Sequence, residues 1–432
     1  MKHKQYSTQT EKIKRITPET LVIGVDIASQ KHCARGFNFR KMELGQQLYF
    51  QNDRLGFRTF IKWLESLRNI NNCLDVIVGM EPTGHYYFAL DHYLKEKGIE
   101  VVLVNPRDVK RQWEVENNAS IKSDPRDAGI IGKLLTDGRY SPSIRYEGVK
   151  AELREVIKTR DMLIEEKTRL VNQIHQWLST YFPEYRQVFK TGIGKWLITL
   201  LKEAPTPAEI ARLKPDGIHR LMQTCRRSMS RSKVNKLYEL ARQSIGIQAG
   251  VQEAKERLKM LLKRLEQNQD DLRKKEKKIK TLTEQIKEAK LLTDITGIGN
   301  LTAATFLTEV GDIDQYETPK QIEKLAGLTL TSKSSGNKKG RGHISKMGRK
   351  KLRTVLYHIA LTLSSKNDAF KKLYHYYKDI RKKPGTKALI KLCCKLIRVL
   401  FTILKKGEPF DPEKMLADIR WPENMTPGYS LS

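Results

Sequence analysis

Three short apolar runs, too continuous for surface strands, set the limits on the first third of this chain. They are Leu21-Val22-Ile23-Gly24-Val25, Val76-Ile77-Val78-Gly79-Met80 and Val101-Val102-Leu103-Val104. A strand with one wet face alternates apolar and polar side chains. Runs without that alternation are buried on both faces, which calls for a sheet covered by helices on each side. They predict strands over 21–27, 74–80 and 99–104, with partly exposed antiparallel strands near 33–39 and 47–51. Between them lie stretches with one apolar helical face, Phe57-Phe60-Ile61-Leu64-Leu67 and Tyr87-Leu90-Tyr93-Leu94.

Residues 1–147 therefore read as an α/β domain of order β-β-β-α-β-α-β-α. A ribonuclease-H-like fold gives that order, and other three-layer α/β folds share parts of it. Two of the strands end in acids, Asp26 and Glu81, and Glu81 is followed by the turn sequence Pro82-Thr83-Gly84. Asp124 and Asp127 follow at i, i+3 spacing in Lys122-Ser123-Asp124-Pro125-Arg126-Asp127. Carboxylates brought together repel unless a cation sits among them. The four acids thus suggest a hard divalent metal used for phosphoryl transfer. Two Mg²⁺ ions roughly 3.5–4 Å apart bind attacking and departing oxygens in such sites, and Mg²⁺ needs few carboxylates because it keeps several waters. The plainer account is that an Asp at a strand end is a solvated turn residue. Asp124 has its own plain account as an N-cap, with Pro125 at N1 and Asp127 at N3; this is compatible with metal binding.

The background is strongly basic. Among 432 residues, 81 Lys and Arg against 49 Asp and Glu give a formal net charge of +32. That charge repels itself on compaction and calls for a polyanionic partner, foremost nucleic acid. The basic residues are spread along the chain rather than gathered on one amphipathic helix, which disfavours a membrane surface. The five cysteines form no Cys-x-x-Cys pair, which argues against a zinc site or disulfide framework and fits a reducing compartment. No apolar run is long enough to span a bilayer, and the first twenty residues lack a signal-peptide core. A soluble, cytoplasmic protein is expected.

Residues 148–290 read as a long-helix, coiled-coil region. Val149, Val156, Leu163, Leu170 and Trp177 recur every seven residues, as do Leu258, Leu265, Leu272, Ile279 and Ile286. Arg160, Lys167, Asn268 and Lys275 intrude on the companion rows, where polar residues set register or oligomer state. The spacing leaves open whether the two helices pair within one chain or across a dimer. Between them, 183–250 reads as short helices joined by Pro and Gly. Residues 291–406 form a separate helical domain, with helices expected at 350–365 and 386–405, and 407–432 an irregular tail.

Thr296-Gly297-Ile298-Gly299 has the form of a helix-hairpin-helix turn. Its glycines Gly297 and Gly299 let backbone N–H groups approach a phosphate, and an ordinary helix–helix turn fits equally well. Thr191-Gly192-Ile193-Gly194 is a weaker second case. A Gly/Lys/Ser-rich loop at 331–349 follows Ala326-Gly327-Leu328. From its residues alone this loop is a flexible DNA-backbone contact, because a serine nucleophile needs a base or metal to activate it and no local His–Asp pair is present; His343 reads as a phosphate contact or a solvated residue. Lys338, Lys339, Arg341, Lys346, Arg349, Lys350 and Arg353 form the expected DNA-binding set. Arg107, Lys110 and Arg111 form a second backbone-contact cluster, with Trp113 beside it as a partly buried ring able to stack on a nucleotide. The aromatic run Tyr374-His375-Tyr376-Tyr377 reads as packing, since no ordered Arg/His set accompanies it.

Taken in order, these motifs resemble the bacterial insertion-sequence DEDD recombinases of the Piv-like group, which join a RuvC-like domain to a C-terminal serine transposase domain and include members directed by a bridge RNA. The residues that carry the resemblance are Gly24-Val25-Asp26, Glu81-Pro82-Thr83-Gly84, Lys122-Ser123-Asp124-Pro125-Arg126-Asp127-Ala128, Ile295-Thr296-Gly297-Ile298-Gly299, Ala326-Gly327-Leu328, Ser335-Gly336 and Ile344-Ser345-Lys346-Met347-Gly348. The resemblance implies that Asp26, Glu81, Asp124 and Asp127 hold Mg²⁺, that Ser335 (or its neighbour Ser334) attacks DNA to form a phosphoserine, and that acids and serine act together across subunits of a homodimer or homotetramer. Asn337 stands where the family's loop often carries another glycine. The implied partners are double-stranded DNA and a structured guide RNA, in the nucleoid of a bacterial cytoplasm. Two rivals remain: a hydrolytic RuvC-like nuclease or Holliday-junction resolvase, in which water attacks, and a non-enzymatic nucleic-acid scaffold.

Overall fold

The computed structural model describes residues 9–82, 84–116, 123–143, 146–190, 192–225, 229–331 and 342–419. The chain divides into two compact units, Met1–Arg145 and Tyr146–Ser432.

In the first unit a helix over residues 9–14 (α1) precedes a six-stranded mixed sheet of order β3-β2-β1-β4-β5-β6. The strands are β1 Thr20–Asp26, β2 Lys31–Phe37, β3 Glu43–Gln51, β4 Asp75–Met80, β5 Glu100–Val104 and β6 Tyr140–Pro142. Strand β1 pairs antiparallel with β2 and parallel with β4, and β4 pairs parallel with β5. The antiparallel edge strand β6 was not foreseen; at three residues it carries no periodic signal of its own.

The continuous apolar runs are buried on both faces, as their lack of alternation requires. Leu21, Ile23 and Val25 of β1 point into one core, with Phe57, Phe60 and Leu64 of α2 (Arg54–Ile70) and Leu90 and Leu94 of α3 (Tyr87–Glu96). Val22 points into the other, with Ile130, Ile131 and Leu134 of α5 (Asp124–Thr136) and Val109 of α4 (Pro106–Glu116). Strand β1 is thus the buried centre of a three-layer sandwich.

Helix α5 lies unusually close to that centre. A Cβ added at Gly24 would sit 2.1 Å from the carbonyl oxygen of Ala128 and 2.5 Å from the amide nitrogen of Gly132. One added at Gly132 would meet the Phe37 ring at 2.4 Å, and one at Gly79 would meet Leu135 Cδ1 at 2.3 Å. Glycines on both surfaces let the helix backbone rest on the strand backbone.

The second unit is helical apart from one small hairpin. Its frame is α6 (Gly148–Tyr181) against α11 (Val251–Glu284), which pair within one chain and settle the alternative the heptads left open. The pair is antiparallel. Trp177 Nε1 donates to the Ala254 carbonyl at 2.7 Å, Asn268 Nδ2 donates to the Leu163 carbonyl at 3.0 Å and to Glu166 Oε2 at 3.2 Å, and Lys278 pairs with Glu152 at 3.3 Å. Asn268 is 3% exposed; its amide nitrogen finds these two acceptors only in this register, the role a polar seam residue can play. The second heptad run was expected to continue to 290. The helix ends at Glu284, and Ile286, with extended backbone, opens α12 (Lys287–Thr293).

Two cores flank this pair. The short helices α7 (Lys195–Glu203), α8 (Pro207–Arg212), α9 (Lys214–Gln223) and α10 (Arg231–Arg242) pack on Leu170, Ile174, Trp177, Leu258 and Leu262. Helices α12, α13 (Asn300–Val310), α14 (Pro319–Leu325), α15 (Lys350–Lys366), α16 (Asp368–His375) and α17 (Gly385–Lys406) pack around Leu153, Val156, Ile157 and Ile279. Tyr376 of the aromatic run is buried in that core. The tail, expected to be irregular, contains a helical turn, α18 (Pro412–Leu416), that buries Met415. No helix among the described residues is long and apolar enough to cross a membrane.

The helix–strand approach yields a direct test. Gly24→Ala is expected to destabilise the protein by about 1–3 kcal/mol through overpacking, seen as a lowered unfolding midpoint. Gly342→Ala, where an added Cβ meets nothing within 4 Å, leaves the midpoint unchanged.

Candidate active site

The parallel register of β1 and β4 pairs Val25 with Met80. The next residues, Asp26 and Glu81, therefore leave the C-terminal ends of neighbouring strands, whose backbones run about 4.8 Å apart. Both are half-buried. On the other side of Asp26 stands Cys33 of β2, its antiparallel register partner.

Helix α5 supplies the second pair of acids. Its N-cap is Ser123, whose carbonyl accepts from the amides of Arg126 and Asp127 at 3.0 and 3.1 Å. Asp124 is thus the first helical residue and Pro125 the second, so the N-cap account of Asp124 is set aside and its carboxylate is left for other work. Asp124 is exposed, whereas Asp127 is only 7% exposed. Both lie in the first turn, where the helix dipole favours negative charge. Because the Ala128 carbonyl rests against Gly24, two residues before Asp26, the tight helix–strand contact fixes where this turn falls.

The Cys33 thiol reports how the acids gather. It is pushed up to about 11, by burial first and then by the carboxylates of Asp26 and Asp124. The Tyr49 hydroxyl, register partner of Cys33 on β3, is also pushed up, by desolvation first and then by Cys33 and Asp124. Asp26 and Asp124 thus act on one spot at the strand end. The donors are all carboxylate oxygens, the kind that hard cations take. The side chains themselves do not close on one point: among the described residues no three His, Cys, Asp or Glu side chains form a group that could hold a metal ion.

Two residues behind the acids escaped the sequence reading. Arg35 of β2 forms an ion pair with Glu43 and donates from Nη1 to the Pro125 carbonyl at 2.9 Å, tying the first turn of α5 to the sheet. His32 is fully buried, and its Nδ1 accepts from the Ala28 amide at 3.2 Å, holding the turn that follows Asp26. The only sequence signal was His32 and Arg35 interrupting the apolar residues that follow Lys31 in this strand.

The other expected residues fall as follows. Arg107, Lys110 and Arg111 are exposed on α4, at spacings that share one face, while Trp113 is half-buried against the core beneath. In the helix–hairpin turn, Gly297 has φ +106 and packs against Leu363 of α15, so it needs to be glycine. Gly299 is the N-cap of α13 and its amide donates to Thr302 Oγ1 at 3.1 Å, so that N–H is satisfied within the turn. Ser334, Ser335, Asn337, Lys338, Lys339 and Arg341 lie outside the described residues. The described flanks of their loop form a small hairpin, β7 (Leu330–Thr331) and β8 (His343–Ile344), with Leu330 opposite Ile344 and Thr331 opposite His343.

Below the hairpin the two flanking segments are zipped further. Ser345 N donates to Thr329 O at 2.8 Å, Lys346 N to Gly327 O at 3.0 Å and Arg349 N to Leu325 O at 2.7 Å. Arg353 Nη1 donates to the carbonyls of Ala326 and Lys346 at 2.9 and 3.3 Å, and Arg349 Nη1 donates to the Glu309 carbonyl. Both arginines therefore have a structural role that the DNA-binding expectation did not contain. Lys346 and Lys350 remain exposed, as does His343.

Comparison with known proteins matches this organisation. Residues 23–183 match the IS110 DEDD family, described as transposase, and residues 289–375 match the transposase family IS116/IS110/IS902. Together the two spans take in more than half of the chain. The chain belongs to the IS110/IS116 family of DEDD transposases. The first family span holds all four acids, and the second holds the helix–hairpin turn and the β7–β8 hairpin. Among relatives, the chain is 24% identical to the transposase of insertion sequence element IS1111A from Coxiella burnetii, over 93% of this chain and 94% of that one. It is 25% identical to an uncharacterised protein of insertion element IS116 from Streptomyces clavuligerus, over 84% and 89%. It is 27% identical to the pilin gene-inverting protein of Moraxella bovis, over 90% and 97%.

Two outcomes are expected of the residues behind the acids. Arg35→Met, which keeps bulk but removes the bonds to Pro125 and Glu43, raises amide exchange in the first turns of α5 about tenfold, read by exchange mass spectrometry, with β1 and β4 still protected. Burial holds His32 below its ordinary 6.5, partly offset by the neighbouring Asn52 side chain. The unfolded chain then binds the extra proton first, so the stability His32 contributes is full above pH 6.5 and is lost as pH falls further. Thermal unfolding of the wild type should show that decline below pH 6.5, and His32→Gln should flatten it.

Proposed function

We propose that this chain is an insertion-sequence transposase that cuts and rejoins DNA through a phosphoserine on Ser335, assisted by Mg²⁺ at Asp26, Glu81, Asp124 and Asp127 and guided by a structured RNA. The observation that carries the reading is the placement of Asp26 and Glu81 side by side on β1 and β4, with α5 delivering Asp124 and Asp127 to the same strand end. The first unit is read as RuvC-like on that arrangement. Relatives named as transposases and as a gene-inverting protein support strand exchange over simple hydrolysis.

The chemistry balances without an energy source. The Ser335 hydroxyl oxygen attacks the scissile phosphorus and the P–O3′ bond breaks; the serine proton passes to solvent and the departing 3′-oxygen takes one up, giving a free 3′-hydroxyl. One phosphodiester replaces another, so a second 3′-hydroxyl can reverse the step and seal a new junction. Bound Mg²⁺ supplies Lewis-acid charge that stabilises the attacking and departing oxygens. Asp127, on the helix that rests on β1, is the most buried of the four carboxylates. The exposed lysines Lys346 and Lys350, with Arg107, Lys110 and Arg111, neutralise backbone phosphates, and base pairing to the RNA supplies sequence choice.

The test is a covalent adduct. Wild-type protein with its element-end DNA and guide RNA in Mg²⁺ should give a protein–DNA species stable to denaturing electrophoresis. Ser335→Ala should abolish it, and Asp127→Asn should slow its formation by about 10²–10³-fold. Unimpaired cleavage by Ser335→Ala would instead make water the nucleophile and the protein a RuvC-like nuclease.

A further inference from the structure

Residues 184–288 lie outside both family-matched spans, and neither the four acids nor the Ser335 loop gives them a task. The short helices of this segment enclose an open cavity of about 970 Å³. Among the described residues four lysines line it, Lys190, Lys195, Lys233 and Lys236, and no carboxylate does. All four are exposed, and among the described residues none has an ion-pair partner. Three carboxylates of this segment are paired elsewhere, in Lys202–Glu266, Arg231–Asp216 and Lys255–Glu209. Four ammonium groups around one concavity repel each other and concentrate a positive potential that only an anion relieves.

Two further features give that anion a shape. The N-terminus of α7 opens into the cavity at Gly194 and Lys195. Gly194 carries no capping side chain, and an added Cβ there would meet nothing within 4 Å, so the first-turn amides are approachable. Val188, Phe189 and Trp196 line the same space, with the Lys233 ammonium 5.9 Å from the Trp196 ring centroid. An apolar, aromatic wall beside a lysine cluster suits a chain that alternates phosphate with an accessible base. A duplex offers its phosphates but keeps its bases stacked inside.

We propose that this cavity binds an unpaired stretch of nucleic acid, its phosphates on Lys190, Lys195, Lys233, Lys236 and the α7 N-terminus, and its bases against the half-buried Trp196, which Phe189 backs from the core. The site contains none of the four acids and no residue assigned to strand cleavage. Single-stranded DNA and an unpaired part of an RNA share the required chemistry.

The test uses the full chain and the variant with all four lysines changed to glutamine. Affinities for a 15-nucleotide oligo-dT, a 15-nucleotide oligo-U and a 15-base-pair duplex are measured by fluorescence anisotropy across a salt series. The variant should bind at least one single strand about tenfold or more weakly, with a log–log salt slope shallower by about 3, since each of four phosphate contacts contributes about 0.7. Duplex binding should change little. Loss confined to oligo-dT assigns the site to DNA, loss confined to oligo-U assigns it to RNA, and equal loss assigns it to the shared backbone. Unchanged affinity and slope for both single strands, or an equal loss for the duplex, overturns the proposal. Lysine acetylation of the wild type gives an independent reading that no folding defect can mimic. Saturating oligomer should protect these four lysines, and undiminished acetylation at all four overturns the proposal. Because the variant keeps Ser335 and every acid, the adduct assay above reads the cleavage chemistry separately.

Discussion

The close contact of α5 with β1 at Gly24 is the constraint on which the candidate active site depends. A strand backbone and a helix backbone touch there because neither side carries a Cβ at the contact, with Gly24 on one surface and Gly132 on the other. Everything near the acids is referred to that point. Asp26 is two residues along the strand, Asp127 is next to the helix residue whose carbonyl makes the contact, and Arg35 fastens the turn carrying Asp124. A chain with net charge +32 has few carboxylates to place, and a contact this tight leaves the first helical turn little freedom.

The second unit follows the same logic with different means. Its long antiparallel pair is registered by buried Asn268, which bonds a carbonyl and a carboxylate on the facing helix. The β7–β8 hairpin is anchored by arginines that donate to main-chain carbonyls, with Gly327 at φ +68 and Gly348 where an added Cβ would strike the Leu325 carbonyl at 2.4 Å. The acids in the first unit and Lys346 in the second thus sit beside a backbone contact that tolerates no added atom. Precision at the site is supplied by packing beneath it.

Much of this was legible in advance. Apolar runs without alternation can only be buried twice over, so β1, β4 and β5 could be read directly, and with them the position of Asp26 and Glu81 at strand ends. The seven-residue rows announced α6 and α11, although the break at Gln285–Ile286 was hidden, because Ile286 and Ala289 stay buried and continue the periodic pattern across the interruption. The cap of α5 was misplaced by one residue, since Ser123 and Asp124 are both competent N-caps and local sequence does not rank them. Arg349 and Arg353 looked like phosphate ligands because a basic residue beside a glycine-rich loop gives the same local signal whether it faces solvent or a carbonyl.

By itself the sequence determined where the chain is buried and where it is charged, since burial and helical or strand period are written into neighbouring residues. It also set the composition of the acid quartet and the excess of cation around it. Only the tertiary structure decided that the long helices partner each other within one chain. It also decided that α5 rests on Gly24, that two arginines brace a hairpin, and that four lysines from a turn, α7 and α10 face one cavity with no carboxylate among its described lining residues. Each of these is a meeting of residues far apart along the chain. No local spacing encodes such a meeting; it follows from how backbones and side chains fill a shared volume.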